Sequence, residues 1–225
     1  MDLLQTIATW LVPLVIAIVF HEVAHGLVAR QLGDPTAARM GRLTLNPFKH
    51  IDPFGTVILP MALAVAKAPL FGWAKPVPVI KERLRNPRRD MILVALAGPG
   101  MNFLLAIVAT MIIGITVALA DGQPTATLQF VFMNAVNFLL INIFLAVFNL
   151  IPLPPFDGGH VVEGLLPPPI AKRFAALGRY AIVVLIFLLL ILPMLSPSAN
   201  IVERLIAPIV GVIARYFLGL AGATG

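Results

Sequence analysis

The sequence predicts an all-α, polytopic membrane protein with five to six transmembrane helices, a re-entrant or interfacial segment, and a short β element after the first helix. Three observations carry that prediction. Of 225 residues, 60% are apolar and only 12% charged, whereas soluble domains are about 45–50% apolar and about 25% charged. Apolar runs of bilayer length recur along the chain, and the basic residues gather between them.

A hydrocarbon core about 30 Å thick requires roughly 20 apolar helical residues. Five stretches qualify, at about 3–29, 92–120, 130–151, 179–195 and 200–218. A sixth, Phe54 to Leu70, is short, contains Pro60 and Lys67 and ends at Pro69, so it is expected to enter the bilayer without crossing it. The start Met1-Asp2 lacks the positive charge of a cleavable signal peptide.

Loop charge sets the orientation. Segment 71–91 carries Lys75, Lys81, Arg83, Arg85, Arg88 and Arg89 against Glu82 and Asp90, and 30–53 and 160–179 share the bias. These are expected in the cytoplasm, while 121–128 and 196–200, free of Lys and Arg, face outside. With 30–53 and 71–91 both inside, Phe54 to Leu70 is re-entrant and five crossings remain. The net charge of +6 therefore reports membrane orientation, and no nucleic-acid partner is expected. With no cysteine in the chain, disulfides, thiolate metal sites and cysteine nucleophiles are excluded.

The first span ends in His21-Glu22-Val23-Ala24-His25. Residues four apart on a helix are about 40° apart in azimuth and about 6 Å apart in rise, so both imidazoles can reach one metal. Glu22 sits where it can act as general base. The bland alternative is two packed histidines beside a protonated glutamate, but ionisable groups in a bilayer cost about 2.5–3.5 kcal/mol each and three together demand a compensating reason. Zinc hydrolases add a third protein ligand, often a carboxylate. The run Asn149-Leu150-Ile151-Pro152-Leu153-Pro154-Pro155-Phe156-Asp157-Gly158-Gly159-His160 breaks the helix and places Asp157 on the cytoplasmic side, where the first span also ends. Asp157 as a plain turn cap stays open on the fragment alone. His160 is the rival ligand, ranked below Asp157.

These residues resemble the site-2 protease family of intramembrane zinc metalloproteases, in its compact bacterial and archaeal branch. The likeness extends over about residues 15–165, through Gly33-Asp34-Pro35, Gly41-Arg42-Leu43-Thr44-Leu45-Asn46-Pro47, His50-Ile51-Asp52-Pro53-Phe54-Gly55-Thr56, Gly72-Trp73-Ala74-Lys75-Pro76-Val77-Pro78 and Ala97-Gly98-Pro99-Gly100-Met101-Asn102. The resemblance implies one Zn2+ held by His21, His25 and Asp157, Glu22 as the catalytic glutamate, and Asn149 and Asn102 as substrate-binding residues. Two departures stand out: Phe156 replaces the family's frequent Leu or Met, and these residues include no PDZ or CBS module. The expected activity is hydrolysis of peptide bonds within or near transmembrane segments. Iron or cobalt remains open as the metal, and a non-hydrolytic zinc transporter or sensor remains the alternative function.

The expected partners are transmembrane-helix protein substrates and the lipid bilayer, with a homo-oligomer left open. The site is expected toward the cytoplasmic face of the cell membrane. The chain reads as one membrane peptidase domain, with residues 1–165 as catalytic core and 166–225 as flanking helices that gate substrate. The alternating stretch 41–46 is expected either to offer a strand edge to an extended substrate or to serve as an ordinary connecting loop. Asn134, Asn137 and Asn142 are expected to glue helices together, Gly98 and Gly100 to let helices approach, and the basic run 81–89 to mark orientation.

Overall fold

Pro13, inside the first helix, leaves one backbone carbonyl without its usual N–H, because proline carries none. The orphan belongs to Thr9, four residues earlier, and Asn137 of a distant helix donates its Nδ2–H to it at 2.9 Å. Such joints hold together three long helices in the computed structural model, which describes residues 3–65, 72–120, 124–196, 200 and 202–223. They are α1 (Leu3–Gln31), α2 (Pro87–Leu119) and α3 (Ala126–Asn149).

Local chemistry sets their ends. Helix α2 begins with proline in its first turn, and Asp90 accepts the Asn86 N–H at 2.8 Å. The Thr125 hydroxyl caps α3 by accepting from Leu128 N at 3.3 Å. The three helices pack pairwise, and each has the length and apolar character to cross a membrane. Between α2 and α3 the core is built on small residues, Ala106, Ala109 and Ala135, interleaved with Ile113, Leu139 and Ile143. Without a hydrophobic drive between helices in lipid, close van der Waals approach is what such residues provide. Leu104, Met111, Ile115 and Phe130 point outward and are exposed, as lipid-facing side chains are.

Four shorter helices follow α3: α4 (Asp157–Leu165), α5 (Pro168–Ala176), α6 (Ala181–Ile186) and α7 (Ala207–Leu220). A π turn Phe187–Ile191 and a last turn Leu192–Leu195 extend α6. A π turn Val202–Ile206 precedes α7, whose Ala214 joins the core. The apolar runs 179–195 and 200–218 thus do not form uninterrupted α-helices. Pro193 and Pro208 interrupt the regular hydrogen bonding, and the 14 residues of α7 span only about 21 Å. Among the described residues three helices have spanning length, so the expected five to six crossings are not confirmed.

The stretch Phe54 to Leu70 is helical in its first part, as a π turn Pro53–Ile58 running into a helix Leu59–Val65. Residues 66–71 lie outside the described residues. No strand forms at 41–46. A strand needs a partner ladder, and here the stretch is held by side chains: His50 Nε2 lies 2.9 Å from Thr44 O, and Asn46 N donates to Thr44 Oγ1 at 3.2 Å.

The basic connection into α2 has a structural task. Lys81 Nζ donates to Glu163 Oε1 at 2.5 Å. Arg88 Nε donates to Gly164 O at 2.9 Å, and its Nη2 reaches Leu166 O. These cations meet the carbonyl end of α4, where the helix dipole is negative, and so fix the helix that begins with Asp157.

Candidate metal centre

His21 and His25 lie one turn apart on α1 and are 7% and 9% exposed. Their rings meet edge to face, with Nε2 atoms 3.0 Å apart. Asp157 Oδ2 closes the triangle, 3.2 Å from His21 Nε2 and 3.4 Å from His25 Nε2. The residue stands at the first turn of α4 because Gly158 and Gly159 let that turn nest under the preceding loop. A Cβ on Gly158 would lie 2.4 Å from Leu150 O, and one on Gly159 2.7 Å from Pro154 N.

The floor under both imidazoles is Gly98 of α2. A Cβ there would lie 2.4 Å from His25 Nε2 and 2.6 Å from His21 Nε2, so only glycine admits the two rings at this depth. From behind, each ring is held by its other nitrogen. His25 Nδ1 lies 2.7 Å from Val94 O, a carbonyl that only accepts, so Nδ1 carries the proton. His21 Nδ1 lies 2.6 Å from Asn102 Oδ1. Asp157 Oδ2 is buried and has no hydrogen-bond partner among the described residues.

Three mutually facing heteroatoms, one of them an orphaned carboxylate oxygen, make a cation site. The fit can be tested by size. Tetrahedral zinc with N and O ligands at about 2.0–2.1 Å separates its ligands by about 3.3–3.4 Å, close to the observed edges of 3.0, 3.2 and 3.4 Å. These are also the residues whose ligand atoms group closely enough to hold a metal ion among the described residues. His160 lies apart from them, half exposed and 3.5 Å from Glu163 through Nδ1.

Glu22, next to His21, accepts the backbone N–H of Val77 on Oε2 at 2.7 Å. Val77 stands between Pro76 and Pro78, which donate no N–H and hold the chain extended. Arg42, itself buried, fixes the approach to Val77 by donating through Nη2 to Lys75 O at 2.8 Å.

The asparagines divide by position. Asn149 ends α3 and turns its amide back to Leu145 O at 2.9 Å. Asn102 is fully buried behind His21, rather than on the face a substrate would meet. Asn137 does join two helices, whereas Asn134 bonds within its own helix to Phe130 O. Asn142 Oδ1 accepts from Asn102 Nδ2 at 2.9 Å. Asn142 thus joins helices as expected, while sequence reasoning missed Gly98 as the floor under the imidazoles and Val77 as the partner of Glu22; for Val77 the signal was its lone N–H between two prolines.

Comparison with known proteins agrees with this geometry. The sequence pattern of peptidase family M50 matches residues 9–134 and 113–192. The chain is similar to two proteins named "Putative zinc metalloprotease". One is YwhC of Bacillus subtilis, 33% identical over 88% of this chain and 90% of that one. The other is Rip2 of Mycolicibacterium smegmatis, 30% identical over 86% of this chain and 68% of that one. No solved structure matches it at a significant level. A helix-borne histidine pair closed by a distant aspartate, together with a family match that covers most of the residues around it, shows that the chain belongs to peptidase family M50, the site-2 protease family.

Proposed function

We propose that the protein is a zinc-dependent intramembrane endopeptidase that hydrolyses peptide bonds in or near the transmembrane segments of other membrane proteins. The observation that carries this reading is the triangle of His21, His25 and Asp157, with Glu22 beside it and a spanning helix beneath. His21 and His25 would each give Nε2 to one Zn2+, and Asp157 would give Oδ2. When bound, zinc supplies Lewis acidity, which polarises a peptide carbonyl and brings the pKa of water down to about 7.

The remaining work falls to the chain. Glu22 takes a proton from the attacking water and returns it to the leaving amine. The Val77 N–H on Oε2 holds that carboxylate in place and leaves Oε1 for the proton. Asn149, eight residues before Asp157, is assigned to substrate contact on the family resemblance. The stretch 41–46 is assigned, on the alternation of its sequence, as an edge for an extended substrate. The site is assigned to the cytoplasmic side of the cell membrane from the basic segments 30–53 and 71–91.

Substrate entry is assigned to the side of α6 and α7. An apolar cavity of about 640 Å³ lies between these helices and the loop before Asp157, lined by Phe103, Phe156, Leu185, Leu205, Ile209 and Ile213 among others. Large apolar side chains fit that lining, and its far wall ends at the turn that delivers Asp157.

The test is cleavage of a purified single-span substrate in detergent, with and without a chelator, by the parent and by Glu22→Gln. The parent is expected to cleave, to stop on chelation and to resume on added zinc. Glu22→Gln is expected to keep its zinc and lose about 10²- to 10⁴-fold in turnover. Full turnover by that variant would remove Glu22 from the chemistry. A parent that binds zinc but cleaves no membrane substrate would favour a transporter or sensor.

A further inference from the structure

We propose that Asn142 and Asn102 form a one-way relay that fixes the tautomer of His21 and presents its Nε2 lone pair to the metal. The inference rests on the metal reading above and concerns residues behind the site. It starts from a carbonyl. Phe138 O can only accept, so the Asn142 atom 2.8 Å from it is the amide nitrogen. The Asn142 oxygen must then face the other way, toward Asn102.

Across that 2.9 Å contact Asn102 must donate, so its nitrogen faces Asn142 and its oxygen faces His21. A second acceptor locks the same orientation, because Asn102 Nδ2 also reaches Ala17 O at 3.3 Å. With an oxygen 2.6 Å away, His21 Nδ1 has to carry the proton. Its Nε2 is then the lone pair, aimed at His25 Nε2 and Asp157 Oδ2. Donor and acceptor order thus passes from α3 through α2 to α1 without a free choice.

Both asparagines are fully buried, so no water competes for the assignment. His25 needs no relay, since its Nδ1 meets a backbone carbonyl directly. Where a ligand histidine has no carbonyl in reach, an amide can serve only if something else prevents it from turning round; Asn142 supplies that constraint. Asn102 and Asn142 are positioning residues: they touch neither substrate nor metal. Partners of this kind are worth about 10- to 100-fold in metal affinity.

The experiment measures zinc affinity by chelator competition on the purified full chain in detergent, and records the visible spectrum of the cobalt-loaded protein. The variants are Asn102→Leu, Asn102→Asp, Asn142→Leu and Asn134→Leu, with His21→Ala defining the site. Asn102→Leu is expected to weaken zinc by about 10- to 100-fold and to shift the cobalt bands. Asn102→Asp keeps an acceptor on Nδ1 but sets an oxygen against Asn142 Oδ1 and Ala17 O, so it is expected to hold zinc more tightly than Asn102→Leu and less tightly than the parent; it also keeps the test readable if the leucine variant fails to fold. Asn142→Leu is expected to fall between Asn102→Leu and the parent with a broadened cobalt spectrum, and Asn134→Leu to match the parent.

Parent-like affinity and spectra in both Asn102→Leu and Asn142→Leu would overturn the relay. So would equal losses in Asn102→Leu and Asn102→Asp, which would make shape rather than an acceptor the requirement. A parent that holds no zinc removable by His21→Ala would instead bring down the metal reading, and the relay with it.

Discussion

Gly98→Ala is the smallest substitution that should abolish the metal centre. The added methyl would sit 2.4–2.6 Å from the very nitrogens that face the cation position, and neither ring can retreat, since each is tied behind through Nδ1. Zinc content of the purified variant is expected to fall by at least about tenfold, the scale on which ligand orientation tunes affinity, while α2 gains slightly in helix propensity. Gly100→Ala is the matched control, because a Cβ there meets nothing within 4 Å. Normal zinc content in Gly98→Ala would show that the rings do not sit where the structure puts them. The ligands themselves were legible in sequence: four-residue spacing puts His21 and His25 on one edge of a helix, and the topology of charge brings Asp157 to the same side. The places of Gly98 under the rings and of Asn102 behind His21 were not assignable because they depend on which face of α2 meets α1, and an almost uniformly apolar helix carries no periodic signal to say so.

At the level of elements, the segment from Trp73 to Ile80 behaves as a strap over the end of α1. It is pinned by Trp73 N to Gly55 O at 3.1 Å, Lys75 N to His50 O at 2.9 Å, Val77 N to Glu22 and Ile80 N to Asp34 Oδ2 at 2.6 Å. Val77→Pro removes one donor from a chain already held extended, so the backbone is kept and the Glu22 contact is lost. A hydrogen bond to a charged group contributes about 1.5–3 kcal/mol, which predicts a roughly 10- to 100-fold loss of turnover with zinc retained. Val77→Ala, which keeps the N–H, should behave as the parent; equal loss in both would mean the side chain matters and the donor does not.

The far pin responds to acid. Burial opposes ionisation of Asp34, but the Thr36 hydroxyl, the N–H groups of Ile80 and Thr36, and Arg83 nearby hold its carboxyl below the usual aspartate range. A depressed folded pKa means its contribution is complete above the ordinary value of about 4 and fades as pH falls toward the folded one. Thermal unfolding in detergent should therefore show Asp34→Asn less stable than the parent at pH 7, with the gap narrowing in acid. A gap that is constant with pH would assign Asp34 a purely steric role. The strap itself was hidden in sequence, since extended chain pinned to side chains has neither the period of a helix nor a partner strand to announce it. The form of 179–195 and 200–218 was also only partly legible: a run of apolar residues reports compatibility with lipid, while the continuity of the α-helix depends on where Pro193 and Pro208 fall.

For the whole molecule, the proposed function would divide the chain into a part that holds the metal centre and a part that admits substrate. Helices α1, α2 and α3 pack pairwise and carry both histidines and their supports, and α7 is anchored to α2 and α3 through Ala214. The segments around α6 and α7 are shorter, broken by π turns, and enclose the apolar cavity beside the Asp157 turn. Under that proposal a transmembrane substrate arriving through lipid would enter between these segments, while zinc and water need no such opening. With no native cysteine to interfere, Leu185→Cys and Ile209→Cys can be joined by a short bis-maleimide across the cavity they both line. The linked protein is expected to keep its zinc and lose most cleavage of a single-span substrate, and each single-cysteine variant treated with the same reagent is expected to keep most of it. Equal cleavage before and after linking would place the entrance elsewhere on the molecule. Loss of zinc on linking would show that α6 and α7 support the Asp157 turn, so that the proposed division into metal-holding and substrate-admitting parts does not hold.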